Sequence, residues 1–553
     1  MALMHLRRFG MAMGLATLAA CEDSITVPNQ NQPDVARAFA TPAGIQQVLS
    51  TSYQQLHEGL HASNDAVAPQ GQVMAFESYG SVANFGMAIR GGLPRVPIDN
   101  GRGNAVFLGN FRDFSQAQRV MRNAADGVRA LDALLARGGT LGSPGVDNTG
   151  TDQRARAFGF FVNGLSLGFA AMVYDSAAIV TPAVPSDVVP TLSGYRDVNT
   201  AALTMLDSAV AIATAVPAAS AAGFTLPASW IRNNALTRDQ FVAVVRSYRA
   251  RFRAGVARDT TERRAVDWTR VRDDAVAGIT TDLNLNLDIA SGWRNTWLNQ
   301  MMEYQGWHQM TPFMIGMADT SGTYLTWLNT PIATKAVPII RTPDRRFPQG
   351  DTRAAQNAAY NTEGTSGPPA GLYFGNRPEG RDLLAAPWGN SQYDHVRFRS
   401  YRLQAQANFN WPTMTAAEIR LLAAEAHIRL GNAAAAIPLI NVSRTAAGLP
   451  AIPAGAAATD PVPGGSACVP RTPVPSGSTY TLPCASLLEA MKYEKRLETA
   501  HTGYIQWFLD SRGWGDLPQG TATEWPVPYQ EMDARARPFY GSTRAAGRGT
   551  YAF

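Results

Sequence analysis

The chain has 553 residues, 45% of them hydrophobic and 16% charged, which is enough apolar material for a large globular body and too much for a disordered one. Its net charge of +5 and pI near 9.1 come mainly from arginine, and Arg246, Arg249, Arg251, Arg253, Arg263 and Arg264 gather around one helical stretch. No nucleic-acid motif accompanies them, so they read as a solvated helix face and nucleic acid is set aside as a partner.

At the start, Arg7 and Arg8 precede an apolar run from Phe9 to Ala20, shorter than the roughly 20 residues that cross a bilayer. That is a signal-peptide pattern over residues 1–20. Leu18-Ala19-Ala20-Cys21 is similar to the lipobox of bacterial lipoproteins, in which the cysteine is acylated and becomes the new N-terminus. One acyl chain holds a protein only marginally, so the diacylglycerol implied at Cys21 is what makes the anchor stable. The polar, Pro/Asn-rich stretch that follows reads as a flexible tether, giving a tether unit of residues 21–36. No later segment reads as a membrane span.

From residue 37 the pattern is mostly helical. Thr41-Pro42 predicts a helix start, threonine as N-cap and proline in the first turn. This first helix ends in HEGLH, which fits the H-E-x-x-H pattern of zinc hydrolases. In that alternative His57 and His61 hold the metal, Glu77 is the third ligand and Glu58 activates water. Gly59 weakens the helix, Asn64-Asp65 soon ends it, and no further histidine or Met-turn pattern follows, so the match reads as chance. A second helix runs through RDFSQAQRVMRNAADGVRALDALLARGG. A third covers RARAFGFFVNGLSLGFAAMVYD, where Gly164 and Gly168 cost helix propensity but allow a neighbouring backbone to approach. Further helices are expected at residues 198–215, 237–255 and 267–280, closing an N-terminal half at about residue 282.

Between about 283 and 411 helical periodicity fades while Gly, Pro, Asn and aromatic residues rise. Long irregular regions on a helical scaffold usually carry function. Flat aromatic faces suit sugar rings, so Trp293, Trp297, Tyr304, Trp307, His308, Tyr324 and Trp327 are the candidate ligand-binding residues, provided they are exposed. Phe76, Tyr79 and Phe85 form a weaker group.

The C-terminal part, about 412–553, opens with TAAEIRLLAAEAHIRLGNAAAAIPLINVSRTAAGLP. Ile419, Leu422, Ala423, Ala426 and Leu430 share a helix face, Gly431 ends that helix, Asn432 caps the next and Gly448 closes it. The two fold back as an antiparallel hairpin whose alanines permit tetratricopeptide-type packing, with Pro438 expected to kink the second. Cys468 and Cys484 flank a Pro/Ser/Thr-rich stretch that cannot bury a core of its own. They are expected to pair in an oxidising compartment, for about 3 kcal/mol in the chain-entropy model. One final helix is expected through LLEAMKYEKRLETAHTGYIQWFLDSRGWGDL, its charged middle paired with neighbours and its aromatic end, Tyr504, Trp507 and Phe508, buried.

These segments resemble the SusD/RagB family of nutrient-binding outer-membrane lipoproteins. The matching positions are Glu425, Ala426, Gly431, Asn432, Asn441, Arg444, Gly448 and Leu449 in the hairpin. In the last helix they are Glu494, Arg496, Glu498, Gly503, Trp507, Asp510 and Arg512, with Lys495 and Thr502 departing from the family pattern. WPVPYQEM is similar to the family's terminal Pro-Ile-Pro and Glu motif, and weaker matches fall at RAFGFFVNGLSLGFAAMVYDSAAIVTP and VDWTRVRDDAVAGI.

The resemblance implies an all-α fold of tetratricopeptide-like pairs, a single SusD-like domain over 37–553, and a lipid anchor in the outer membrane. It implies capture of an oligosaccharide or peptide and delivery to a TonB-dependent, SusC-like transporter barrel. The motif residues are then structural and no cofactor is called for. The remaining serines, aspartates and histidines, with His308, His395, His427 and His501 scattered, form no nucleophile or paired-carboxylate signature, so the reading is a binding protein and not an enzyme. An envelope lipoprotein without a small ligand is the third reading.

Overall fold

Thr41 accepts a hydrogen bond from the Gly44 N–H at 3.1 Å and so starts the first long helix where the Thr-Pro pair predicts it. The structure is a computed structural model that describes residues 38–80, 85–302, 308–362, 364–377 and 391–549. The signal peptide of 1–20, Cys21 and the tether of 21–36 lie outside the described residues. Helices of nine residues or more are labelled α1 Pro42–His61, α2 Leu108–Ala136, α3 Thr149–Val173, α4 Tyr195–Thr214, α5 Arg238–Gly255, α6 Trp268–Val276, α7 Ala416–Arg429, α8 Ala433–Ala446, α9 Leu487–Thr499 and α10 Gln506–Trp514.

The fold is all-α. Neighbours in the chain pack on one another: α1 on α2, α2 on α3, α3 on α4, α4 on α5, then α5 on α6 and α6 on α7, with α8 and α9 both against α7. This is a run of tetratricopeptide-like pairs. The α7–α8 turn is built as the sequence predicts, since Asn432 Oδ1 accepts from the Ala435 N–H at 3.2 Å and Gly431 and Gly448 take φ of +76° and +79°. α8 runs on through Pro438.

α3 forms the centre of the N-terminal half, and Gly168 lets it press against α5. A Cβ there would lie 2.1 Å from the Phe252 ring. By length and composition α3 could cross a membrane, contrary to the expectation that no later segment could; 89% of its most apolar window is buried inside the protein, which makes it a core helix.

Ten short strands form five antiparallel pairs among the described residues: β1 Tyr79–Gly80 with β5 His308–Gln309, β2 Ser176–Ala178 with β3 Leu192–Gly194, β4 Leu283–Leu287 with β8 Phe409–Met414, β6 Phe374–Asn376 with β7 Tyr393–His395, and β9 Val474–Ser476 with β10 Thr479–Thr481. The β4–β8 pair, Leu285 opposite Trp411, brings together the two ends of the loop-rich stretch. The β9–β10 hairpin sits inside the loop closed by the Cys468–Cys484 disulfide.

Two expectations need correction. The final helix is two, α9 and α10, because His501, Gly503 and Ile505 all take left-handed φ between +47° and +58°, which no helix accommodates. Four of the six arginines expected on a solvated face are paired: Arg251 and Arg263 are buried against Glu418 and Glu425, and Arg249 and Arg253 share Asp274, while Arg264 is exposed.

Candidate functional site

The aromatic set picked out by its density is largely interior. Trp293, Trp297, Tyr324 and Trp327 are each at most 3% exposed, as is His308, and their faces are occupied. Trp293 packs against Tyr53 and His57 at ring distances of 6.2 and 5.3 Å, and Trp297 meets Trp411 edge-on at 6.2 Å. Trp327 has Phe313 on one side at 4.8 Å and the Lys335 ammonium over its ring at 4.2 Å. Such rings remove more apolar area from water than any other side chain, so a region without helical periodicity uses them as its core. No face is left open for stacking on these four. Tyr304 and Trp307 lie outside the described residues. Of the weaker group, Phe76 stacks on Phe313 at 4.7 Å, Tyr79 is buried in β1 and Phe85 is half-buried.

The HEGLH stretch closes α1, and its two histidines do share a face, with rings 4.8 Å apart. One nitrogen of each is engaged within the core. His57 Nε2 is 3.0 Å from the Arg294 carbonyl, which requires the ring to donate there, and His61 Nδ1 accepts from the Trp297 indole N–H at 3.2 Å, which puts the His61 proton on Nε2. Burial lowers His57 to about 4 and His61 well below its ordinary value, so both are neutral core imidazoles. Glu77 accepts instead from the His501 backbone, and Glu58 turns toward Gln54. Among the described residues no three His, Cys, Asp or Glu side chains converge as a metal-holding group. The zinc alternative on His57, His61, Glu77 and Glu58 therefore lacks its ligand set.

The C-terminal motif residues form a buried ionic frame. Glu425 takes both arms of Arg263, whose Nη2 also reaches Asp510 at 3.2 Å; Lys495 pairs with Asp510 at 2.9 Å and Arg496 with Asp516. Burial would raise Glu425, but Arg263 overcomes it and holds the carboxyl down at about 2. Arg512 has no acidic partner among the described residues and spends its donors on the carbonyls of Ala257, Thr523 and Gly255. Glu494 accepts from Arg346 at 2.9 Å, and Arg346 is clamped in turn by Asp344.

This frame supports a junction of short strands. β1 pairs with β5, Gly80 opposite His308; β6 pairs with β7; and the Met310 N–H donates to the Tyr393 carbonyl, joining β5 to β7. Arg377 ties the ends together, its Nη2 donating to the His308 carbonyl at 2.9 Å and its Nε to Asp394 at 2.8 Å. His501 enters from the α9–α10 turn through its N–H to Glu77 at 2.7 Å. The chain leaves this junction at Gly80, reaches it at His308, and leaves and re-enters it near Arg377 and Gln392. Those are the attachment points of residues 81–84, 303–307 and 378–390, which lie outside the described residues. All nine tryptophans among the described residues are buried; the other two, Trp307 and Trp388, belong to those stretches. Trp388 gives no signal in the sequence because it stands alone, and His308, His395 and His501, scattered along the chain, are gathered by the junction.

Comparison with known proteins bears on the C-terminal frame directly. Residues 392–515 match the family model described as the SusD family. A SusD superfamily protein from Bacteroides vulgatus ATCC 8482 superposes with a TM-score of 0.51 at 14% identity, covering 87% of this chain and 89% of that one. Another from Bacteroides thetaiotaomicron VPI-5482 gives 0.50 at 11% identity, covering 91% and 100%. At such identities these structures speak for the fold alone. No curated protein matches.

Proposed function

We propose that this chain, whose residues 392–515 match the SusD family model, is a SusD/RagB-type carbohydrate-binding lipoprotein of the outer membrane that hands its ligand to a TonB-dependent transporter barrel. The observation that carries the reading is the family match over the buried frame of Glu425, Glu494, Arg496, Asp510 and Arg512, which in turn supports the strand junction. Lipid attachment at Cys21 fits the lipobox and the polar tether, and the Cys468–Cys484 disulfide fits an oxidising compartment.

Ligand is taken up at the loop-rich part of a single body spanning 37–553, between an N-terminal half ending near 282 and a C-terminal part from 412. Tyr304 and Trp307 are the stacking rings of this reading, whereas Trp293, Trp297, His308, Tyr324 and Trp327 are buried and serve the core. Calorimetric titration of the full chain against a glycan panel tests this: binding to at least one oligosaccharide, weakened tenfold or more by Tyr304→Ala with Trp307→Ala, is the expected result. Binding of peptides alone would replace the ligand class. No binding of either would favour the structural-lipoprotein reading. Intact-mass analysis of the envelope fraction tests Cys21, and co-purification tests the barrel.

A further inference from the structure

We propose that His308, His395 and His501, gathered against Glu77, form an acid-sensitive fastener: uptake of a proton there opens the strand junction locally before the rest of the protein unfolds. The four side chains come from four separated stretches of chain and are each at most 3% exposed. The His395 and His501 rings lie 4.7 Å apart, and His501 Nδ1 is 3.9 Å from Glu77 Oε1. His308 Nδ1 is 3.4 Å from Ser78 Oγ. Among the described residues, neither ring nitrogen of His395 or of His501 has a hydrogen-bond partner. A neutral imidazole bears this poorly and an imidazolium, with two N–H donors, cannot bear it at all in a dry site.

The described surroundings offer an added proton mainly cations and apolar rings, with Glu77 as the one carboxyl not already shared with an arginine. From the β6–β7 side come Arg377 and Arg399, which already share Asp394 at 2.8 and 3.5 Å. Arg397 adds a third cation, held over Tyr373 and bonded to the Glu498 carbonyl. Phe374 and Phe398 close the apolar side of His395. From the β1 side the one carboxyl among the described residues is Glu77, and burial raises it to about 8, so at neutral pH it carries its own proton. Burial lowers His308 and His501 to about 3 and His395 well below its ordinary value. With folded values below the unfolded 6.5, the three histidines contribute stability that is present above pH 6.5 and is lost as pH falls toward 3.

The loss falls on this junction first because its backbone ladders are short. β1 and β5 are two residues each, β6 and β7 three, and His501 is tied to Glu77 by one backbone N–H. Elements so short open at lower cost than a buried 25-residue helix such as α3.

Hydrogen exchange by mass spectrometry on the full chain, corrected for the intrinsic pH dependence of exchange, tests the proposal. Protection in peptides covering 308–313 and 391–398 is expected to fall at least tenfold between pH 7 and pH 4.5, while peptides from α3 keep theirs. His395→Gln, and His501→Asn, which suits the left-handed backbone there, should each cut that response at least threefold; circular dichroism establishes that they fold, and if neither does, the wild-type profile decides alone. Unchanged protection at the junction, parallel loss in α3, or an undiminished response in the folded variants would overturn it.

Discussion

Arg263 grips Glu425 with two arms of its guanidinium, Nε to Oε1 at 3.0 Å and Nη2 to Oε2 at 2.5 Å, with both side chains fully buried. The pair spans 162 residues and ties the short helix Thr260–Arg264, which follows α5, to the family-matching segment. Removing one partner leaves a buried charge, which costs more than the pair is worth against water. Glu425→Ala should therefore destabilise the protein by about 3–5 kcal/mol, moderated by the second contact of Arg263 to Asp510. Urea denaturation followed by tryptophan fluorescence measures it; a loss under about 1 kcal/mol would mean that the frame tolerates an unpaired guanidinium.

Gly168 marks a very tight helix approach in the N-terminal half, with its missing Cβ aimed into the Phe252 ring. Alanine gains about 1 kcal/mol of helix propensity there, yet overpacking of that kind costs about 1–3 kcal/mol and a Cβ at this distance lies at the upper end. The expected net effect of Gly168→Ala is destabilising, with the thermal midpoint lowered. A rise in that midpoint would show that α3 and α5 can slide apart without penalty.

How far the sequence could be read depended on whether the physics was local. Asn432 as a cap, Gly431 and Gly448 as helix ends, and Gly168 as a point of close approach each follow from a few neighbouring residues. Nothing local marks Arg251 and Arg263 as buried, because their partners, Glu418 and Glu425, lie 167 and 162 positions away. The aromatic candidates failed for a related reason. In a stretch without helical or strand period, composition shows that rings are present but not which side of the chain faces the core, and Trp293, Trp297, Tyr324 and Trp327 all turned inward. The break between α9 and α10 was hidden because His501 and Ile505 adopt a backbone that their residue types disfavour, held there by the contact with Glu77 among others.

The disulfide between Cys468 and Cys484 closes a loop whose tip is the exposed β9–β10 hairpin. Cys468 itself is buried in the small apolar cluster with Leu421, Ile437 and Ile440. Replacing both cysteines by alanine should cost about 3 kcal/mol through the freed unfolded chain. Denaturation with and without reductant reads this out: the reductant should lower the wild-type midpoint to that of the double variant. Equal midpoints for oxidised and reduced wild type would show that the bridge adds nothing to the cluster packing.

Glu77 gives the clearest pH signature, because one substitution removes its charge while keeping its hydrogen bond. Its carboxyl is raised by burial from an ordinary value near 4.5 to about 8, against a smaller lowering by the His501 N–H. A folded value above the unfolded one means that the stability it contributes is fully present below pH 4.5 and is lost progressively as pH rises through 8. Glu77→Gln keeps an acceptor for His501 and cannot ionise. Its stability relative to wild type should therefore climb between pH 5 and pH 9, by roughly 3–5 kcal/mol over the whole span, since each pH unit separating the folded and unfolded carboxyl is worth about 1.4 kcal/mol. Denaturation midpoints of the two proteins at pH 5, 7 and 9 test the slope. Parallel profiles would mean that Glu77 is ionised in the folded protein, with His501 carrying the compensating proton.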